Sequence, residues 1–91
     1  METKPRDWLE DNVPLVLSIY DPLSNTEANL FDVYDDVFRD SIRENTINLL
    51  YSMICIEYSR STGQSTEEFY GAIDTDELYD FVVRCKEIFP E

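Results

Sequence analysis

The side chains best suited to nucleophilic chemistry in this sequence are the thiols of Cys55 and Cys85. A thiol or hydroxyl nucleophile usually needs a neighbouring base, most often histidine, and the sequence contains no histidine. Cys55 lies in the most apolar run of the chain, and Arg84 and Lys86, the neighbours of Cys85, point elsewhere on a helix. We expect two reduced thiols in the protein core, with a disulfide between them as the less favoured alternative.

The acidic run DTDE at positions 74–77 begins with the carboxylate spacing of a calcium-binding EF-hand loop. Such a loop requires glycine at its sixth position and a bidentate glutamate at its twelfth, where this sequence has Tyr79 and Cys85. Di-iron sites in helical bundles normally use Glu-x-x-His motifs, and a phosphate-binding loop needs more than the two glycines present. We therefore expect a protein that is not an enzyme and has no metal or cofactor, with a carboxylate-based metal enzyme as the remote alternative.

The net charge of the chain is its most unusual property. The 91 residues include 20 acids and 7 bases, which gives −13 at pH 7. The apolar and aromatic fractions, 43% and 13%, are those of a folded protein and exclude a disordered acidic tail. Self-repulsion on this scale costs stability, and a folded protein that tolerates it can use the charge to bind a basic partner. The simpler alternative is that the acids only keep the protein soluble.

The pattern serine-x-x-glutamate, typical of helix N-termini, occurs three times ahead of apolar residues at helical spacing. The three serines are Ser24, Ser41 and Ser65. Asp74 gives a fourth start, with aspartate as the cap. These starts predict helices over about 26–39, 41–60, 66–72 and 75–88. Phe89 belongs to the apolar face of the last helix and Pro90 stops it, whereas the sequence leaves open whether residues 24–60 form one helix or two.

Two further helices are predicted near the start of the chain. Pro5 lies in the first turn of one, where its missing N–H does no harm. Asn12 caps the next, which contains the apolar run 15–20. One helix kinked at Pro14, or a strand over 15–20, is the alternative. We expect Pro22 to end this element, because the residue before a proline avoids the helical conformation.

The segment Ser41–Arg60 is the predicted centre of the fold. Apolar side chains cover most of the circumference of this helix and leave a narrow polar stripe. The stripe consists of Asn45, Asn48, Ser52 and Ser59. We expect other helices to cover this one on nearly all sides. The predicted fold class is therefore all-α, a small single-domain bundle (residues 1–91) of four to five short helices around a central apolar helix.

Two groups of carboxylates are candidate partner-binding sites. Asp32, Asp36 and Asp40 recur every fourth residue, so a helix over 26–39 places them in a row about 6 Å apart, with Asp35 beside them. The opposite, buried face of that helix is predicted to carry Leu30, Val33, Tyr34, Val37 and Phe38. The second group comprises Glu67, Glu68, Asp76, Glu77 and Asp80. Several members of the second group lie at helix N-termini, where the helix dipole alone favours them.

A row of carboxylates on a rigid helix can imitate nucleic-acid phosphates and occupy a basic groove. In composition, though not in motif, the chain resembles the phage antirestriction DNA-mimic proteins and the small acidic immunity proteins that neutralise nuclease toxins. The resemblance implies an inhibitor that binds a basic nuclease, restriction enzyme, CRISPR effector or other nucleic-acid-binding enzyme. Tyr34 and Tyr79 are the candidate aromatic anchors of its interface. The alternative is a structural or adaptor module, with acidity for solubility and a leftover apolar face that forms a homodimer.

The N-terminal residues METKPRDWLED are polar and lack the apolar segment of a signal peptide. The longest unbroken apolar runs are only a few residues, far short of a membrane span. We therefore expect a cytoplasmic protein that contacts neither a membrane nor, given its charge, nucleic acid directly.

Overall fold

The computed structural model describes residues 3–88, and within that range the chain forms α-helices, one short 3₁₀ helix and no strand. In chain order the elements are α1 (Pro5–Asp11), α2 (Val13–Val33), the 3₁₀ helix (Asp36–Phe38), α3 (Arg39–Thr62), α4 (Thr66–Ala72) and α5 (Thr75–Ile88). The all-α prediction is confirmed. Phe89 and Pro90, predicted to end the last helix, lie outside the described residues.

The central position of α3 is also confirmed, because it packs against α2, α4 and α5. Leu50, Ile54 and Tyr58 line its fully buried side. The ring of Tyr58 meets Trp8 of α1 edge-on at 5.6 Å and Phe69 of α4 at 5.5 Å between centroids. One tyrosine of α3 thus joins both short helices to the core.

One face of α3 remains in solvent, so the expectation that this helix is covered on nearly all sides is wrong. Leu49, Met53 and Ile56 are 53%, 42% and 56% exposed. A small protein has a high ratio of surface to volume. With two neighbours of only 7 residues, α1 and α4, the bundle has too little helix to surround the 24-residue α3.

The two helix starts nearest the N-terminus lie where the sequence places them. α1 begins at Pro5, and α2 begins at Val13 after a turn, which excludes a single helix kinked at Pro14. The capping role of Asn12 is not confirmed, because its amide donates instead to the carbonyl of Trp8 at 2.8 Å.

The starts of α4 and α5 are confirmed together with their caps. The Ser65 hydroxyl accepts from the N–H of Glu67 at 3.1 Å, and the Asp74 carboxylate accepts from the N–H of Glu77 at 2.8 Å. Before them, α3 continues to Thr62, two residues beyond its predicted end. It stops at Gly63, whose φ of 74° lies in the left-handed region that favours glycine.

Pro22 does not end a helix. α2 passes through it, so Ser24 lies in the helix interior and caps nothing. The residues on either side explain this, because Ile19, Tyr20 and Leu23 all pack against the core. The proline is exposed, so the backbone carbonyl that loses its partner can turn towards water. Burial of the flanking side chains thus outweighs the local preference for a break.

The helix predicted over 26–39 breaks, because Tyr34 and Asp35 both have extended backbone with ψ of 156° and 159°. The chain then turns through the 3₁₀ helix and α3 begins at Arg39. Residues 24–60 therefore belong to two helices, and Ser41 lies inside the second. Adjacent aspartates are poor helix formers and repel one another, which favours the break at this point.

A charged contact holds α2, α3 and α5 together. The Glu27 carboxylate, in a residue that is only 8% exposed, accepts from Nε of Arg43 at 2.9 Å. The Arg43 guanidinium also lies over the rings of Phe31 and Tyr79, at 5.7 Å and 5.6 Å from their centroids. The hydrogen bond to Glu27 raises the pKa of Arg43, so the cation is maintained. We call this contact the arginine clasp: Glu27, Phe31, Arg43 and Tyr79.

Replacing Pro22 by alanine should raise the free energy of unfolding by about 2–2.5 kcal/mol. A proline inside a helix costs about 3 kcal/mol, and its loss gives back about 0.4–1 kcal/mol through a freer unfolded chain. Urea denaturation measures the difference. Pro14→Ala is the matched control, since Pro14 lies in the first turn of α2 where no N–H is needed. Equal effects at the two positions would contradict a continuous α2.

Replacing Arg43 by methionine should lower the free energy of unfolding by about 1–3 kcal/mol, because the enclosed Glu27 carboxylate loses its partner. Arg84→Met is the control. This arginine is exposed, and its hydrogen bond to the carbonyl of Asp80 is long, at 3.4 Å. Adding Glu27→Gln to Arg43→Met should recover part of the loss. If both single variants cost the same in urea denaturation, the clasp is not what joins these helices.

Candidate functional site

The first predicted group of carboxylates surrounds the turn between α2 and α3, which we call the corner (residues 32–40). Asp32 is in the last turn of α2, Asp35 and Asp36 lie at the start of the 3₁₀ helix, and Asp40 is in the first turn of α3. All four side chains are exposed. The structure therefore gathers these residues at one place, although not in the predicted arrangement.

The predicted row of Asp32, Asp36 and Asp40 on one helix face is wrong. Such a row requires a continuous helix, and the extended backbone at Tyr34 and Asp35 interrupts it. The break also changes the local electrostatics, because Asp40 now lies at a helix N-terminus, where the dipole favours a carboxylate.

One aspartate of the corner is paired with an arginine. Arg39 binds Asp36 at 3.0 Å, whereas Arg43 belongs to the arginine clasp. Within residues 3–88, Asp32, Asp35 and Asp40 form no salt bridge. Three uncompensated carboxylates therefore surround one neutralised by arginine.

The corner also exposes apolar side chains that the sequence predicted to be buried. Val33 and Val37 are 76% and 77% exposed, and Tyr34 and Phe38 are 52% and 50% exposed. The two rings pack edge-on against each other at 6.0 Å between centroids, and about half of each residue remains exposed. Tyr34 is thus an exposed aromatic residue, as an interface anchor requires.

Beside these rings lies an open groove of about 160 Å³, lined by Tyr34, Phe38, Ser41, Ile42 and Asn45. The sequence pattern placed Val33, Val37 and Phe38 on the buried face of a helix, so it did not identify them as surface residues. The signal that could have found them is the order of residue types in 32–40, DVYDDVFRD. A pair of adjacent aspartates between two short apolar pairs is typical of a turn rather than of a helix interior.

The second predicted group largely serves the fold. Glu67 and Glu68 lie in the first turn of α4, and Asp76 and Glu77 in the first turn of α5, where helix dipoles favour carboxylates. Asp80 lies one turn further along α5 and is exposed.

Two members of the second group are engaged in contacts. Glu77 binds Arg6 of α1 at 2.8 Å, and Glu68 accepts from the Gln64 amide at 2.8 Å. The start of α4 follows the C-terminal end of α3, whereas the corner precedes its N-terminal end, and 24 helical residues span about 36 Å. The α4 carboxylates and the corner are therefore separate surfaces.

Tyr79 is half-buried within the arginine clasp, where burial raises the pKa of its hydroxyl. It holds Arg43 in place and does not form an exposed aromatic anchor. The clasp adjoins the corner. Phe31 and Arg43 of the clasp line one groove of about 230 Å³ together with Arg39 and Asp40 of the corner.

The thiols are core residues, as the sequence predicted. Cys55 and Cys85 are buried and form no disulfide. Burial raises the pKa of Cys55 to about 11 and also raises the pKa of Cys85, so both are protonated at neutral pH. Within residues 3–88, no group of three or more metal-ligating side chains is close enough to hold an ion. In the same part of the chain, no helix has the length and apolar character needed to cross a bilayer.

Stability should fall at high pH. Burial raises the pKa of Tyr51 to about 12 and that of Cys55 to about 11, above their ordinary values of 10.0 and 9.0. The folded protein therefore keeps protons that the unfolded chain releases, and the free energy of unfolding declines as pH rises from about 9 towards 12. Urea denaturation across this range measures the slope. Loss of lysine charge contributes to the decline in any variant, so Cys55→Ala should show a shallower slope than the native chain. Identical slopes would contradict a thiol held neutral by burial.

Comparison with known proteins leaves the function to be argued from this geometry, since no family model, curated protein or solved structure matches the chain.

Proposed function

We propose that this chain is a non-enzymatic acidic inhibitor that binds a basic, nucleic-acid-acting protein through the corner. The observation that carries the proposal is the composition of residues 32–40. Three carboxylates without a salt bridge stand there beside four apolar side chains that are each at least half exposed.

The unpaired carboxylates alone, or the exposed apolar side chains alone, would support a binding surface less strongly. Acids on a surface can serve solubility, and single exposed apolar residues are common on folded proteins. Together they match the anatomy of a protein interface, in which aromatic anchors occupy the centre and charged groups contribute at the rim. Tyr34 and Phe38 are suited to the central role and Asp32, Asp35 and Asp40 to the rim.

The net charge of −13 supports a basic partner. A protein that acts on nucleic acid presents a positive surface, and a compact acidic protein is attracted to it over distances of about a Debye length, roughly 8 Å at physiological salt. The second group of carboxylates adds to this attraction without belonging to the contact itself.

The broken aspartate row determines the kind of inhibition that we propose. Imitation of a nucleic-acid backbone would need the aspartates on a single helix at phosphate-like spacing, and the break at Tyr34 and Asp35 removes that support. The corner instead supports occlusion, in which apolar side chains fill a pocket on the partner while carboxylates meet its lysines and arginines. This mode corresponds to the nuclease-immunity form of the proposal rather than to its DNA-mimic form.

The proposal is tested by affinity capture from the natural host, followed by work with the purified partner. We expect a captured protein that is basic and binds DNA or RNA, and that loses its nucleic acid when this chain is added. Two variants separate the contribution of the carboxylates to binding from that of the two aromatic rings. Asp32→Asn/Asp35→Asn/Asp40→Asn should weaken binding mainly at low salt, because it removes charge attraction. Tyr34→Ala/Phe38→Ala should weaken it at all salt concentrations, by about 100-fold if both rings are anchors.

The matched control is Asp7→Asn/Glu10→Gln/Asp11→Asn, which removes the same number of exposed charges from α1. Circular dichroism verifies that each variant retains its helices. If the control weakens binding as much as the corner variants do, net charge and not the corner is responsible. If the captured partner is not basic, or keeps its nucleic acid, the inhibitor proposal is wrong and the acidity serves solubility.

A further inference from the structure

A second exposed surface runs along α3 and differs from the corner in its chemistry. Ile42, Leu49 and Ile56 are seven residues apart, and Met53 lies beside them. This spacing places all four on one side of the helix, as in the seam of a coiled coil. Leu49, Met53 and Ile56 are each about half exposed. We call this surface the α3 seam: Ile42, Asn45, Leu49, Ser52, Met53 and Ile56.

The α3 seam is electrically neutral in a strongly acidic chain. Residues 45–56 contain no charged side chain, although 30% of the chain is charged. Twelve helical residues span about 18 Å. Two copies with a charge of −13 each repel one another over most of their surfaces, but this stretch lets them approach without opposing carboxylates. A basic partner, by contrast, gains no charge attraction here.

We propose that the α3 seam is the interface of a homodimer, in which α3 packs antiparallel against α3 of a second copy about a twofold axis between Leu49 and Ser52. In this arrangement each large aliphatic residue faces a small polar one across the interface, Ile56 opposite Asn45 and Leu49 opposite Ser52. Side chains of alternating size allow two helices to approach closely.

Charges at the ends of the seam favour the antiparallel direction. Arg60 lies on the same side of α3 as Ile56, one turn beyond it; it is exposed and binds Glu57 of its own helix at 3.1 Å. An antiparallel partner brings Arg60 to the end of the other helix that carries Asp40 and Glu44. A parallel partner would instead place Arg60 against its own copy.

The surface beside the seam has room for side chains of the second copy. An open groove of about 250 Å³ lies between α2 and α3, lined by Ile19, Met53, Ile56 and Glu57. A cavity of about 150 Å³ is enough to hold a benzene molecule, so the groove can accept an aliphatic side chain. Ile42 and Asn45 belong both to the seam and to the groove beside Tyr34 and Phe38, so the dimer adjoins the corner.

Sedimentation equilibrium of the full chain, up to about 0.5 mM, tests the proposal. Because the seam is apolar and the rest of each copy is negative, salt should strengthen the dimer by screening repulsion. We expect a dissociation constant that falls at least threefold between 50 mM and 500 mM NaCl. Binding through the corner should weaken over the same range, so failure of one proposal is distinguishable from failure of the other.

Leu49→Glu should make the chain monomeric at both salt concentrations, while its helical circular dichroism is retained because Leu49 is half exposed and glutamate is a good helix former. Ala28→Glu is the matched control, since it adds the same charge at an exposed position of α2 that lies on the opposite side of that helix from Ile19. It should remain a dimer, with a dissociation constant within about threefold of the native value. A native chain that is monomeric throughout, or a control as disruptive as Leu49→Glu, would overturn the proposal.

Discussion

The hydrogen bond between Glu27 and Arg43 is the constraint on which the shape of the molecule depends. Sixteen positions separate these residues, and in one continuous helix they would lie about 24 Å apart. They are instead joined at 2.9 Å, so the chain between them must reverse direction. The corner is that reversal. The pairing of α2 with α3 thus forces residues 32–40 outward and leaves their apolar side chains without a cover.

Two surfaces follow from this arrangement, and they differ in charge. At the corner, Tyr34 and Phe38 stand among carboxylates, which is suited to a basic protein with an apolar pocket. Along α3, Leu49 and Ile56 stand among neutral residues, which is suited to a second copy of the same chain. Salt weakens the first kind of association and strengthens the second. The two surfaces meet at Ile42 and Asn45, which belong to the seam and also line the groove beside the corner.

Local sequence signals predicted the parts of the fold that local interactions decide. Ser65 and Asp74 cap α4 and α5 as expected, because a cap needs only the next few backbone N–H groups. The prediction at Pro22 was wrong for the opposite reason, since the packing of Ile19, Tyr20 and Leu23 against other helices outweighs the local preference of the proline. Glu27 is the glutamate of the serine-x-x-glutamate pattern that starts at Ser24, whereas its partner, Arg43, lies on another helix. Glu27 lies at helical spacing from Leu23 and Leu30 on an otherwise apolar face, and this pattern indicates an enclosed glutamate.

The candidate site was only partly predictable. The aspartates of residues 32–40 were identified from composition and spacing, but their arrangement depends on a chain reversal that no local pattern encodes. Nuclear Overhauser contacts of the Arg43 side chain test the account most directly. It predicts contacts from Arg43 to both the Phe31 and Tyr79 rings, with the series of helical contacts interrupted at Tyr34 and Asp35. An unbroken helical series through residues 32–40, with no contact between Arg43 and Tyr79, would contradict it.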